Sequence, residues 1–380
     1  MSRPLPAAFI TLPLVLALVL PALPAAAAEE DVKPLAAGAA APDFDLPGVG
    51  GKRHKLADYA GAKVLVVVFT CNHCPTAQAY EDRLIRLHED YKGKGVALVA
   101  INPNDALAVR LDELGYSDLG DSLPEMELRA AERKFPFAYL DDGETQTVGR
   151  AYGALATPHA FVFDADRKLR YQGRIDDSEK GGDKVKSHDL RDAIDALLVG
   201  KVPPAEKTNV VGCSTKWADK REDAKRALAE WDKESVTLTP IDEAGVKKLA
   251  ANDGERAKLR LVNVWATWCG PCVAEMPELV TINRMYRGRA FELVTISTDE
   301  PVEEEAVLKL LKDKKVAATN YIFDSVDQDP LVAALDPEWQ GPVPYTVLIA
   351  PGGKVLYRKN GAFDALKLKR AIVDYLGRTY

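Results

Sequence analysis

The clearest pattern in the chain is an apolar run that leads directly into a cysteine pair. Residues 63–69 form a continuous β-branched and apolar segment, which predicts a strand buried on both faces. Cys71 follows, and from Pro75 onward apolar residues recur every three or four positions, which predicts a helix that ends near Gly93. These residues are Ala77, Tyr80, Leu84, Leu87 and Tyr91. The unit is therefore a strand, a Cys-X-X-Cys motif and a helix.

The rest of the first half continues this alternation. Strands are predicted at residues 95–101, 159–163 and 169–171, and helices at residues 122–134 and 187–198. The turn-rich stretch Asp-Ala-Asp-Arg at 164–167 suits a hairpin between the last two strands. Ser187 is the predicted N-cap of the final helix, and Gly200 lies past its end.

The second half repeats the same plan around a second pair, Cys269 and Cys272. Strands are predicted at residues 259–265, 291–296, 320–323, 345–349 and 354–357, and helices after the cysteine pair and at 302–312 and 364–376. A chain of 380 residues also exceeds the size at which one core usually stops growing. The predicted fold class is α/β, with two tandem domains of the same kind, each a central mixed sheet flanked by helices.

The N-terminal residues 1–28 have the pattern of a signal peptide. Arg3 precedes an apolar stretch at 10–20, and a run of alanines ends at Ala28. Pro13 and Pro21 leave less than the ~20 uninterrupted apolar residues that a membrane span needs. We therefore expect a periplasmic or secreted protein with no stable membrane insertion after cleavage. The remaining chain divides into a first domain at 29–201, a linker at 202–234 with a charged helix, and a second domain at 235–380.

The net charge and the spacing of the cysteines exclude two other classes of protein, those that bind nucleic acid and those with a structural zinc site. The net charge of −7 offers no basic face for nucleic acid, so nucleic-acid binding is not expected. A structural zinc site would need both cysteine pairs to converge, yet 194 residues lie between Cys74 and Cys269 and each pair has its own periodic context. No metal and no cofactor is predicted.

The segment around the second pair resembles the TlpA/ResA-like thiol-disulfide oxidoreductases of the thioredoxin superfamily, over residues 235–380. The resemblance is carried by Trp-Ala-Thr-Trp-Cys-Gly-Pro-Cys-Val-Ala-Glu-Met-Pro at 265–277. It implies a thioredoxin-like fold in this half, which the first half repeats, and a site built from the two cysteines with Gly270, Pro271 and Glu275. It also implies a cis-proline at Pro344 facing the cysteines. Asn263 stands where thioredoxin itself has a buried aspartate.

The first half resembles the redoxin, or AhpC/TSA, branch over residues 39–198. The resemblance is carried by Ala-Pro-Asp-Phe-Asp-Leu-Pro at 41–47, by the cysteine motif and by Thr-Pro-His at 157–159. It implies a second cis-proline at Pro158. Leu65 replaces the buried acid and Ala79 replaces the helix proline, so a proton relay through those positions is not expected here.

The two motifs have a clear chemical interpretation. A cysteine at a helix start lies near unpaired backbone N–H groups and the positive end of the helix dipole, which stabilise its thiolate. A second cysteine three residues later can then resolve the mixed disulfide. We assign Cys71 and Cys269 as nucleophiles and Cys74 and Cys272 as resolving cysteines. The alternative for each pair is a structural disulfide or a partial metal site.

The residues between the cysteines predict the direction of electron flow. His73 precedes the second cysteine of the first pair, as histidine does in DsbA-like motifs, where a low thiolate pKa makes the site oxidising. We therefore hypothesise that the first site is more oxidising and that electrons run from the second domain to the first. The alternative for His73 is an exposed loop residue.

Four further positions are less specific. Cys213, in the linker, is a candidate resolving thiol for the first site, or else a small buried thiol. Arg174 is either near the first site or a solvated surface charge. Thr157 and Val343 precede the two predicted cis-prolines, where an extended partner backbone can pair with theirs.

The leading function is an electron-relaying or disulfide-reducing enzyme. Its partners would be protein thiols or disulfides and a membrane-linked electron donor. The second is a thiol-dependent peroxidase, because Cys74-Pro75-Thr76 resembles a peroxidatic motif. Against it, Val67 and Cys71 stand where peroxiredoxins have proline and threonine. The third is copper binding by Cys71, His73 and Cys74, since thiolate and imidazole suit Cu(I).

Overall fold

The computed structural model describes Met1 and residues 32–143, 145–180 and 182–380. The predicted signal peptide at 1–28 lies, apart from Met1, outside these residues. Among the described helices, none combines the length and the apolar character that crossing a membrane requires.

The first domain has the predicted core elements and several short ones. Its strands are β1 (Asp45–Pro47), β2 (Arg53–Lys55), β3 (Val64–Phe69), β4 (Val96–Asn102), β5 (Ala138–Asp141), β6 (Ala156–Thr157), β7 (His159–Phe163) and β8 (Leu169–Gly173). Its helices are α1 (Pro75–Tyr91), α2 (Leu123–Arg133), α3 (Thr147–Tyr152) and α4 (Asp189–Leu198). The predicted linker contains β9 (Cys213–Ser214) and α5 (Arg221–Trp231).

The second domain follows the same order. Its strands are β10 (Thr239–Ile241), β11 (Leu259–Trp265), β12 (Phe291–Ser297), β13 (Thr319–Phe323), β14 (Tyr345–Ile349) and β15 (Val355–Asn360). Its helices are α6 (Glu243–Ala251), α7 (Gly270–Tyr286), α8 (Glu304–Asp313), α9 (Asp329–Leu335) and α10 (Ala365–Leu376).

Each domain is built on a mixed sheet, which confirms the predicted fold class. The first sheet has the strand order β5-β4-β3-β7-β8, with β3 parallel to β4 and antiparallel to β7. The second has the order β10-β13-β12-β11-β14-β15, with β11 in the corresponding position. In both domains the cysteine motif follows the strand that lies between parallel and antiparallel neighbours.

The apolar run of β3 is buried on both faces, as its sequence indicates. Val64, Val66 and Val68 pack with α1 and α4 on one side of the sheet. Leu65, Val67 and Phe69 pack with α3 on the other side. Burying alternate side chains on opposite faces fixes the register of the strand, and with it the position of the cysteines that follow.

Some elements were not predicted from the sequence. The strands β5 and β10 and the helices α3, α6 and α9 are short, from three to nine residues, so too few apolar positions repeat to give a period. The last helix of the first domain begins at Asp189 with His188 at its N-cap, one residue later than the predicted cap Ser187.

The two domains pack against each other through the C-terminal end of α7. The Tyr286 hydroxyl donates to the Ser117 carbonyl at 2.8 Å, and the Arg289 guanidinium donates to the Gly115 carbonyl at 3.0 Å. Asp118, buried at this contact, pairs with Arg370 and Arg378 of the second domain. The segment of the first domain that follows β4 and carries Gly115, Ser117 and Asp118 therefore packs against the second domain.

Candidate active sites

The two cysteine motifs meet their helices at different positions. In the second domain Cys269 is the N-cap of α7, and its Sγ accepts from the Cys272 N–H at 3.3 Å. In the first domain the N-cap of α1 is Cys74, whose Sγ accepts from the Ala77 N–H at 3.5 Å. Helix α1 therefore begins at Pro75, three residues later in its motif than α7 does. Cys74, and not the predicted nucleophile Cys71, therefore lies at the helix start.

The state of the thiols also differs between the sites. Cys269 and Cys272 form a disulfide, whereas Cys71, Cys74 and Cys213 are free thiols.

The first pair lies against the residue before a cis-proline. The Thr157–Pro158 peptide is cis, which confirms the prediction for Pro158. The Thr157 hydroxyl lies 3.1 Å from the Cys71 Sγ, and the Cys74 thiol donates to the Thr157 carbonyl at 3.2 Å. Both cysteines are almost fully buried, with exposures of 3% and 0%. Thr157 therefore contacts both sulfur atoms.

His73 is held by a carboxylate that the sequence did not reveal. Its Nδ1 lies 2.5 Å from the Asp121 Oδ2 in a fully buried ion pair. The Asp121 Oδ1 also accepts from the backbone N–H groups of Asn72 and His73, and Oδ2 accepts from Asn104 at 2.8 Å. His73 is therefore not an exposed loop residue, and Asp121 orders the turn that carries it.

The ion pair keeps a positive charge beside the thiols. Burial lowers the pKa of His73, but the Asp121 carboxylate opposes this and the net pKa is raised. In turn, burial raises the pKa of Asp121, while the charge and hydrogen bond of His73 bring it below its usual value. The ion pair therefore favours the charged form of both groups.

The two thiols of the first pair have opposite pKa shifts. Burial raises the pKa of Cys71 well above its usual value. Burial acts in the same direction on Cys74, but hydrogen bonds from Cys213, Cys71 and the Ala77 N–H, together with the charge of His73, bring its pKa well below the usual value. The electrostatics of the first site therefore favour a thiolate on Cys74.

Cys213 lies in the same cluster of sulfur atoms. Strand β9 pairs antiparallel with β6, so that Cys213 is opposite Thr157 and Ser214 is opposite Ala156. The Cys213 side chain is half-buried and packs against Cys71 and Cys74. The first site therefore contains three thiols, the third supplied by the segment predicted to be a linker.

The arrangement around His73 is suited to an ion pair rather than to a metal. Ligand atoms of Cys71, His73 and Asp121 all lie within 4.8 Å of one another. However, both Asp121 oxygens already accept two hydrogen bonds each. A cation here would have to displace the contacts that order the motif.

In the second site a cis-proline again lies close to the cysteine pair. The Val343–Pro344 peptide is cis, and Val343 packs in one cluster with Cys269 and Cys272. The Glu275 carboxylate accepts from Asn263 at 2.9 Å, and burial raises its pKa. Gly270 and Pro271 form the first turn of α7.

Arg174 is not part of the first site. Its guanidinium binds Asp189 at the start of α4 at 2.8 Å.

Comparison with known families covers both domains. A model of the AhpC/TSA family matches residues 37–172, and the Redoxin model matches residues 243–374. Each match contains one cysteine motif and its cis-proline. The chain belongs to the thioredoxin superfamily. This confirms the resemblance seen in the sequence, with one thioredoxin-like fold in each half.

The relatives of this thioredoxin-superfamily chain include curated and structurally characterised proteins. It is 27% identical over 150 residues to "Thiol-disulfide oxidoreductase ResA" of Oceanobacillus iheyensis, covering 40% of this chain and 67% of that protein. It is 32% identical over 102 residues to the protein of the same name from Geobacillus thermodenitrificans, covering 26% of this chain and 53% of that protein. A solved structure titled as an uncharacterized conserved protein from Geobacillus kaustophilus is 40% identical, with a TM-score of 0.43, covering 48% of this chain and 92% of that one.

The two thioredoxin-superfamily sites differ in how open they are. Next to cis-Pro158 the strand edge is occupied by β9. Next to cis-Pro344, no strand in the described part of the chain pairs with the segment that precedes the proline. Beside the second pair, Trp268 is 70% exposed. The second site therefore offers a free edge and an exposed aromatic ring, and the first does not.

The sites also lie at opposite ends of one helix. Cys269 caps the N-terminus of α7, a helix of 17 residues that is ~25 Å long at 1.5 Å per residue. Tyr286, at its other end, binds Ser117, whose hydroxyl donates to the Asn72 carbonyl in the first motif at 3.4 Å. In this arrangement the two cysteine pairs cannot exchange disulfides by direct contact.

Proposed function

We propose that the chain is an exported thiol-disulfide oxidoreductase that acts on protein thiols and disulfides at two separate Cys-X-X-Cys sites. The names of the curated relatives support the assignment as an oxidoreductase. The observation that carries the proposal is the second site, where Cys269 caps α7 and packs with the residue before cis-Pro344. An exposed Trp268 beside it provides a contact surface for a client.

The proposed reaction at the second site is disulfide reduction. The Cys269 thiolate attacks a client disulfide, one client sulfur leaves as a thiolate, and a mixed disulfide forms. Cys272 then attacks the Cys269 sulfur, the second client thiolate leaves, and the site ends as a disulfide. A membrane-linked donor of two electrons returns it to the dithiol. The Val343 backbone next to the cis-proline is available to pair with an extended client.

In the first site we propose that Cys74 is the attacking sulfur. It caps α1, it accepts hydrogen bonds and its pKa is lowered, whereas burial raises the pKa of Cys71. These features reverse the roles that the motif alone indicated. Direct electron flow from the second site to the first would require the domains to separate, so we propose that each site meets its own partner.

An active-site trap tests the function. In the full chain, Cys272→Ser should accumulate disulfide-linked client proteins, because the mixed disulfide on Cys269 is no longer resolved. The variant Cys269→Ser with Cys272→Ser is the control and should trap none at this site. If Cys272→Ser forms no mixed disulfides with exported proteins, the proposed activity of the second site is wrong.

Export has a separate test. The mature protein should be recovered from the periplasmic or secreted fraction with a new N-terminus near residue 29. Mass spectrometry of the intact protein reads this directly, and an uncleaved chain in the cytosolic fraction would contradict the proposal.

A peroxidase is the second candidate for the first site. It is favoured by Cys74 at the helix N-cap with a lowered pKa, followed by Pro75 and Thr76. Consumption of hydrogen peroxide that is lost in Cys74→Ser but retained in Cys272→Ser, over a single turnover of the reduced protein, would support it.

A further inference from the structure

The segment that carries Cys213 occupies the position where an extended client would bind. In β9 the backbone of Cys213 pairs with Thr157, the residue before cis-Pro158. A strand added at such an edge is a common mode of peptide recognition, because main-chain hydrogen bonds supply the affinity. Here the chain supplies that strand itself.

The fit of this segment is close along its length. A Cβ on Gly212 would lie 2.1 Å from the Thr157 carbonyl oxygen, so only glycine allows this approach. On the other side, the Thr215 hydroxyl donates to the Ala154 carbonyl at 2.6 Å and Lys216 pairs with Glu113. The segment is therefore anchored on the first domain on both sides of Cys213.

The side chain of Cys213 packs in one cluster with Cys74. Their interaction lowers the pKa of Cys74 and raises the pKa of Cys213. The main cause of the raised pKa of Cys213 is thus this contact, followed by burial and by the charge of Cys74, whereas Lys216 acts in the opposite direction. Once Cys74 is in a disulfide, its negative charge is gone and Cys213 ionises more readily.

We propose that β9 is an internal client of the first site and that Cys213 resolves Cys74 through a Cys74–Cys213 disulfide. This rests on the proposed thiol-disulfide exchange activity. The Cys74 thiolate attacks a low-molecular-weight disulfide, and one of its two sulfurs leaves as a thiolate. Cys213 loses its proton to that leaving group and attacks the Cys74 sulfur, which expels the second thiolate. Cys71 then attacks the Cys74 sulfur and breaks the Cys74–Cys213 bond, and the proton of Cys71 passes to the departing Cys213, which leaves a Cys71–Cys74 disulfide and a Cys213 thiol.

Peptide mapping of the full chain tests this, with glutathione disulfide as the probe. In reduced Cys71→Ser, addition of the probe should produce a disulfide that joins the tryptic peptides of residues 64–83 and 208–216. In wild type, acid quenching at early times should show the same species before the Cys71–Cys74 disulfide. The control moves the thiol by one residue with Cys213→Ser and Ser214→Cys in the Cys71→Ser background. Because adjacent strand residues point to opposite faces, this control should keep glutathione on Cys74.

The second site serves as an internal reference in the same sample. If Cys269 and Cys272 are oxidised but glutathione stays on Cys74 of Cys71→Ser, the role of Cys213 is overturned and the oxidoreductase function stands. If neither site reacts with glutathione disulfide, the proposed function is overturned, and the role of Cys213 with it.

Discussion

The first site depends on a single buried ion pair between residues that are far apart in the sequence. His73 lies between the cysteines, while Asp121 comes from the loop before α2. Because burial alone lowers the pKa of a histidine, His73 without its carboxylate partner would be neutral in this place. The positive charge near Cys74 is thus a property of the fold and not of the motif.

Replacing Asp121 should therefore change the acidity of Cys74. In Asp121→Asn the pKa of His73 should fall and the pKa of Cys74 should rise, because the stabilising charge is lost. The thiolate absorbance of Cys74 against pH measures this in the Cys71→Ser, Cys213→Ser background with the second site oxidised. Asp82→Asn, which removes an exposed charge from α1, should leave the curve unchanged. An equal shift in both variants would contradict the role of the ion pair.

The same charge should set the redox potential of the first site. A stabilised thiolate favours the reduced form, so the first pair should be more oxidising than the second. Equilibration of full-length variants with glutathione buffers measures both potentials. The double variant Cys269→Ser, Cys272→Ser gives the potential of the first pair, and Cys71→Ser, Cys74→Ser gives that of the second. His73→Ala should make the first pair more reducing, and about 30 mV corresponds to 1.4 kcal/mol for two electrons. Equal or reversed potentials of the two pairs would reject the hypothesis.

The stability of the first site should also depend on pH through His73. Its pKa is raised in the folded state, so the ion pair stabilises the fold fully below the unfolded pKa of about 6.5. This stabilisation is lost as the pH rises through the folded pKa. The difference in free energy of unfolding between wild type and His73→Gln should therefore be larger at pH 6 than at high pH. Urea denaturation over a range of pH measures this difference. A difference that grows as the pH rises would contradict the prediction.

At the scale of elements, the strand and helix around each motif follow from the sequence, and the identity of the cysteine that caps α1 does not. The β-branched run of β3 and the repeated apolar residues of α1 are local patterns, and the structure has them where they are predicted. The start of α1 depends on the backbone N–H groups of Asn72 and His73, which bind Asp121 instead of continuing a helix. Strand β9 has only two residues and is defined by its partner, so no periodicity reveals it.

Strand β9 should be released by one added methyl group. Gly212→Ala places a Cβ against the Thr157 carbonyl, so the segment should move away and expose the thiols. We expect Cys71 and Cys74 to react with a thiol reagent about ten times faster or more than in wild type, because the free energy needed to detach β9 from the site is smaller. Gly61→Ala is the control, because its Cβ would meet no atom within 4 Å and its backbone is not in the left-handed region. Unchanged labelling rates in Gly212→Ala would show that β9 does not cover the site.

At the scale of the whole molecule, the contact between the domains holds the two sites apart. Its central charge is Asp118, which is buried and binds two arginines of the second domain. Asp118→Asn should lower the free energy of unfolding by about 2 kcal/mol. Arg370 and Arg378 lose the buried carboxylate that pairs with them, but both guanidinium groups remain partly exposed to solvent. Urea denaturation measures this. Asp374→Asn removes an exposed partner of Arg378 and should cost less than about 0.5 kcal/mol. A similar cost for both variants would mean that the contact adds little to stability.

The placement of the cysteine pairs at opposite ends of α7 has a consequence for stoichiometry. If each site meets its own partner, as proposed, both partners should be able to bind one copy of the chain at the same time, because the two cysteine pairs lie at opposite ends of α7. A saturating ligand at one end should then leave the Michaelis constant at the other end unchanged. With one substrate for each site, the total rate of turnover should then equal the sum of the rates measured with each substrate alone.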